Sequence, residues 1–150
     1  MADKYDDMDW HEDDELIEEL GESAAATHMG MFAAWCLLNS LGTDRPEIQA
    51  HLPKLASRQT TPGSFLEEYL DGKLTGNCLS GEGADFASAY YAAPAGQASY
   101  LDEYAALLGE EHGGMLAVPD TWQNYDVVAG MIAARHAQWV KAGRPGSLPA

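Results

Sequence analysis

Basic residues, cysteines and long apolar runs are all scarce in this sequence, and each scarcity excludes something. Eight Lys and Arg stand against 24 Asp and Glu, for a formal net charge of −16 over 150 residues. Phosphate backbones are bound by clustered cations, so no nucleic-acid partner is expected. Anionic membrane surfaces are excluded on the same ground. The two cysteines, Cys36 and Cys78, cannot build a disulfide framework. Cys36 lies in the most apolar stretch, where a thiol behaves as a small hydrophobe rather than a nucleophile. The N-terminus has neither a basic n-region nor an apolar h-region, so no signal peptide is expected and a reduced, cytoplasmic setting fits best.

Familiar catalytic patterns are missing too. There is no Gly-x-Ser-x-Gly elbow, no glycine-rich phosphate loop, no His-Glu-x-x-His and no paired Glu-x-x-His. The expectation is a non-enzyme with no catalytic residue, no cofactor and no metal. Sustained strict alternation and hairpin signals are also lacking, which points away from sheets.

What the chain does have is one run, Ala24 to Leu41, with apolar residues on every face of a helix. Such a helix must be surrounded by protein. At 1.5 Å per residue it would be about 27 Å long, enough to cross a small domain. A hydrophobic content of 46% supports a real core. The fold class expected is all-α, mainly α: a single compact domain of about seven helices around this buried central helix. An acidic arm is expected over 1–12, the helical domain over 13–142, and a loose tail over 143–150.

The flanking helices follow from periodicity and caps. Leu16, Ile17 and Leu20 space a short helix that ends at Gly21, with Ser23 as N-cap of the central helix and Gly42 as its C-terminal stop. Pro46 opens a helix carrying Ile48, Leu52 and Leu55, which Pro53 shortens or kinks. Thr61 caps a helix with Phe65, Leu66, Tyr69 and Leu70 inside. Residues 73–79 read as a turn or half-helix. A helix over 82–92 carries Phe86, Tyr90 and Tyr91, and Ser99 caps another that Gly109 closes. Met115 to Val118 is a candidate short strand with no evident partner. Asp120 or Thr121 caps a last helix whose inner stripe is Trp122, Tyr125, Val128, Ala129, Ile132, His136, Trp139 and Val140.

Two histidines invite a metal reading. His11 and His28 could act with acids such as Glu12 or Asp14, but a site needs three or four converging ligands. On an apolar helix His28 reads rather as a hydrogen-bonded structural histidine. Carboxylate pairs such as Glu67–Glu68 and Glu110–Glu111 read as solvated helix faces.

The acidic N-terminal segment is the stronger signal. Asp3, Asp6, Asp7, Asp9, Glu12, Asp13, Asp14, Glu15, Glu18, Glu19 and Glu22 are 11 of the 24 acids, with Lys4 the one Lys or Arg among them. Concentrated like charge steers a cationic partner and matches a basic cleft. Trp10, set in this arm, serves either as a buried anchor or as an exposed interface residue. The expected partner-binding residues are Asp9, Trp10, Glu12, Asp13, Asp14, Glu15, Glu18 and Glu19.

Five motifs occur in order: Tyr5-Asp-Asp-x-x-Trp-His11, Ala25-Ala-Thr-His-Met-Gly-Met-Phe-x-Ala-Trp35, Thr61-Pro-Gly-x-Phe65, Asp71-Gly-Lys73 and Asp120-Thr-Trp-x-Asn-Tyr125. With them the chain resembles an uncharacterised bacterial domain family whose members occur near secreted polymorphic toxins and resemble their immunity proteins. The resemblance covers most of residues 5–140 and carries no catalytic residues. It implies an immunity protein that binds a cognate toxin, such as a nuclease delivered by type VI secretion, and blocks its basic cleft, as a monomer or as a heterodimer with the toxin. The alternatives are a small metal-binding protein or metal-dependent enzyme using His11 and His28, and an interaction module unconnected with toxins.

Overall fold

A computed structural model describes residues 3–150; Met1 and Ala2, the first two residues of the expected arm, lie outside the described residues. The central helix is α2, Thr27–Leu38, and every side chain from Thr27 to Leu37 is buried. It is shorter than the apolar run. Residues Glu22–Ala26 wind into a tighter 3-10 turn with no side-chain cap, so Ser23 does not cap α2. At the other end the Asn39 side-chain Nδ2 donates to the Trp35 carbonyl at 2.8 Å, competing for a helix acceptor. Ser40 then takes the left-handed conformation at φ 64° that was expected of a glycine.

The other helices pack around α2: α1 (Glu15–Leu20), α3 (Pro46–Gln49), α4 (Leu52–Ala56) and α5 (Pro62–Tyr69). They are followed by α6 (Gly81–Phe86), α7 (Tyr100–Tyr104), α8 (Glu110–His112) and α9 (Trp122–Lys141). Pro53 sits in the first turn of α4, where its missing N–H needs no partner, and the break between α3 and α4 falls just before it, at residues 50–51. The mainly α, single-domain reading therefore holds.

Contact between α2 and α5 is intimate because both helices carry glycine at the crossing. A Cβ on Gly30 would meet the Pro62 carbonyl oxygen at 2.5 Å, and one on Gly63 would meet the Asp120 carboxylate at 2.6 Å. Asp120 uses that space. It accepts from the Thr61 hydroxyl at 2.6 Å and the Gly63 amide at 3.0 Å, pinning α5 to the start of α9. Thr121 caps α9, its hydroxyl accepting from the Asn124 amide at 3.1 Å.

Two π turns extend the helices: Ala87–Tyr91 follows α6, and Ala105–Gly109 links α7 to α8, so the helical path continues through Gly109 to His112. The wider π turn lets successive Tyr90 and Tyr91 both point inward, at 0% and 3% exposure. They join Phe32, Phe86, Tyr100 and Tyr104 in an aromatic core.

Three segments depart from expectation. A two-stranded antiparallel sheet forms between β1 (Lys4–Asp7) and β2 (Lys73–Thr75). Residues Met115–Ala117 form a 3-10 turn instead of a strand. The C-terminal tail is docked, not loose: Leu148 is buried, and its carbonyl accepts from the Ala98 amide at 2.8 Å. An apolar residue at 148 is the reason, since its burial removes it from water and draws the chain with it.

Candidate functional site

The acidic arm is held by one buried carboxylate. A regular strand would put Asp6 and Asp7 on opposite faces. The β1–β2 pairing slips between Lys4 and Asp6, and both aspartates turn inward, to 2% and 4% exposure. Asp7 is satisfied locally, by the Lys4 ammonium at 2.8 Å and the Asp9 amide at 3.0 Å. Asp6 reaches into the core.

Four donors converge on the Asp6 carboxylate. Oδ1 accepts from His11 Nε2 at 2.8 Å and from the Asp7 amide at 2.9 Å. Oδ2 accepts from His28 Nε2 at 2.9 Å and from the Tyr91 hydroxyl. Burial alone would raise the Asp6 carboxyl, but the His11, His28 and Tyr91 hydrogen bonds together hold it well below the usual carboxylate range. The hydrogen bond to Asp6 raises His11 against the cost of its partial burial. Complete burial lowers His28 in spite of the same partner. The arrangement therefore favours the charged form of His11 beside the Asp6 carboxylate and the neutral form of His28, with the Tyr91 hydroxyl as a further donor. His28 is hydrogen-bonded to Asp6 from its buried place on α2. The acid that joins the two histidines is Asp6, not Glu12 or Asp14. Asp6 and Tyr91 are the members that the sequence did not single out as site residues, although Asp6 falls within the Tyr5-Asp-Asp-x-x-Trp-His11 motif and Tyr91 falls on the helix expected over 82–92.

Trp10 does not anchor the arm. Its ring is 57% exposed, with the Lys4 ammonium 5.5 Å from the ring centroid. Asp6 does the anchoring, helped by Tyr5, whose hydroxyl donates to the Ala84 carbonyl at 3.0 Å. The structure places all the expected partner-binding residues on the surface: Asp9, Trp10, Glu12, Asp13, Asp14, Glu15, Glu18 and Glu19 are each exposed. They run through the 3-10 turn Met8–His11 and α1 as one continuous segment. Asp14 has a structural task as well, capping α1 by accepting from the Leu16 amide at 2.9 Å. Leu20, at the end of α1, is 50% exposed.

Beside Leu20 opens a cleft of about 330 Å³. Its apolar walls come from Ala24, Leu116, Val118 and Pro119, and its polar groups include Glu67 and Asp120. Cys36 is fully buried and its thiol is pushed far up by desolvation, so it is no nucleophile. Cys78 is also buried, with its thiol raised to about 11 by burial. Among the described residues no helix is long and apolar enough to cross a membrane.

No curated protein and no solved structure matches the chain. One family model matches residues 4–117, which takes in β1 through the 3-10 turn at Met115–Ala117 and all four members of the Asp6 cluster. The chain therefore belongs to that family, described as a domain of unknown function (DUF7832).

Proposed function

We propose that this domain is a protein inhibitor that lays its acidic N-terminal face on a basic partner, as an immunity protein occluding the cleft of a cognate toxin of the nuclease type. The observation that carries the reading is the makeup of one exposed segment. From Asp9 to Glu19 it presents seven carboxylates around an exposed Trp10, and it leads into the exposed Leu20. Interfaces of this kind place an aromatic or aliphatic anchor inside a charged rim. The charge governs encounter rate and salt dependence, and the apolar side chains govern residence. The cleft beside Leu20, with Glu67 in its wall, suits a basic side chain whose aliphatic stem packs on Ala24 and Pro119.

The test is capture of the partner by tagged protein, washed at low and then high salt, followed by affinity measurement with an Asp13→Lys, Asp14→Lys double variant. The expected result is one stoichiometric, basic partner whose enzymatic activity the domain blocks, with the association rate of the double variant reduced at least tenfold at low salt. Unchanged affinity of that variant at low salt would remove this face from the interface.

A further inference from the structure

We propose that Asp6, His11 and His28 form a binding site for a divalent first-row transition-metal ion, zinc being the simplest case. Their ligating atoms lie within 4.8 Å of one another, on β1, the 3-10 turn and α2. Two imidazoles and a carboxylate suit zinc, cobalt or ferrous iron better than magnesium or calcium, which prefer all-oxygen shells. The rings of His11 and His28 meet edge to face, centroids 4.9 Å apart, with both Nε2 atoms directed at the same carboxylate.

The spacing admits an ion with little movement. A tetrahedral ion with bonds of about 2.0–2.1 Å sets neighbouring ligand atoms about 3.3 Å apart. The 2.8 and 2.9 Å contacts run to different oxygens, His11 to Oδ1 and His28 to Oδ2, so on loading each opens by about half an ångström and the carboxylate turns one oxygen towards both rings. His11 supplies the movement: its side chain is 20% exposed, whereas those of Asp6 and His28 are 3% and 0% exposed. Three protein ligands leave a fourth position for water or a small ligand, reached from the His11 side.

A second observation distinguishes this cluster from a plain hydrogen-bonded knot. Among the described residues His28 Nδ1 is buried with no hydrogen-bond partner, and so is the hydroxyl of Tyr104, whose ring lies 6.3 Å from that of His28. Metal-bound histidines direct their second nitrogen at an acceptor. When an ion takes the place of the Nε2 proton, neutral His28 carries its one proton on Nδ1, and a shift of the nearby Tyr104 side chain on loading would let its oxygen accept that proton. His11 shifts its proton likewise when neutral, or releases one to solvent when it is an imidazolium. The Asp6 oxygens keep the Tyr91 and Asp7 donors. Tyr104 is thus a positioning residue, while Asp6, His11 and His28 are the ligands.

The ion would bind the arm to α2 more firmly than hydrogen bonds do, and hold in place the turn that carries Asp9 and Trp10. The test uses the full chain, stripped with a chelator and dialysed. Cobalt is titrated with visible absorption as readout, zinc by calorimetry, and magnesium serves as the control for loose binding to surface acids. The expected result is one equivalent of cobalt with the absorption of a four- or five-coordinate ion, and a zinc dissociation constant on the order of micromolar or tighter. His11→Ala, at a partly exposed position that leaves the core intact, should weaken binding at least 100-fold. Tyr104→Phe should weaken it about tenfold, at unchanged stoichiometry. Asp9→Asn with Glu12→Gln should leave it unaltered. Absence of a one-equivalent site in the folded wild-type protein would overturn the proposal. So would binding that survives His11→Ala or is matched by magnesium.

Discussion

Replacing Asp6 by Asn in metal-free protein isolates the contribution of the central clasp. The amide keeps the shape of the carboxylate but offers one accepting oxygen in place of two. Whichever way it is turned, its NH2 group faces donors that it cannot satisfy. With the amide nitrogen on the inner side, His28 Nε2–H and the Tyr91 hydroxyl lose their acceptor, and both groups are buried. An unpaired buried donor costs about 1–3 kcal/mol, which gives about 2–6 kcal/mol for the two. The lost charge opposite His11 adds little, because that ring reaches water. The net expectation is a loss of about 3–5 kcal/mol, a large part of the 5–15 kcal/mol typical of a domain. At about 2–4 °C per kcal/mol for a chain of this size, the melting temperature should fall by about 6–20 °C. Urea unfolding measures the loss, and amide hydrogen exchange locates it. Residues 4–11 and 73–75 should lose protection first, since the clasp ties β1 to α2. Asp14→Asn is the control: Asn caps helices as well as Asp, so stability should stay nearly constant. A loss below about 1 kcal/mol for Asp6→Asn, or unchanged exchange in β1, would refute the idea that the clasp holds the arm.

Trp10→Ala should leave stability within about 0.5 kcal/mol, because the ring is already exposed, yet weaken partner binding at least tenfold; urea midpoints and calorimetry separate the two effects. Gly30→Ala forces a Cβ against the Pro62 backbone, and overpacking outweighs the gain in helix propensity, for a net loss of about 2 kcal/mol in urea unfolding. In metal-free protein the clasp also sets a pH window. The native Asp6 carboxyl is depressed, so its contribution is present above the ordinary value of about 4 and is lost as the pH falls below it. Native His11 is raised, so its contribution is present below the ordinary value of about 6.5 and is lost as the pH climbs through the raised value. Native His28 is lowered, which works against stability once the pH drops below that same ordinary value. Urea midpoints across pH should therefore decline at both ends, and His11→Gln should abolish the decline that begins just above neutrality while keeping the acid one and the strongly alkaline one set by the buried thiols and tyrosines.

Much of this protein was determined by sequence alone, wherever the deciding physics is local. The all-round apolarity of Thr27 to Leu37 requires burial whatever surrounds it, and all of those side chains are buried. Thr61, Ser99 and Thr121 cap their helices because a side-chain oxygen and the amides it serves lie two or three residues apart. The exposure of the acids from Asp9 to Glu19 follows from the cost of burying unpaired charge. Tertiary structure decided the rest. Asp6 is one acid among many in its segment, and only the slipped β1–β2 pairing turns it inward to meet His28, 22 residues away, and Tyr91, 85 away. The same pairing makes Trp10 an exposed side chain, because the arm is already held from beneath. Asp120 serves α5 rather than its own helix because Gly63, far along the chain, leaves it room. Pattern and propensity carry information over a helical turn or two; a buried hydrogen bond between distant residues depends on a register that exists only once the chain has folded.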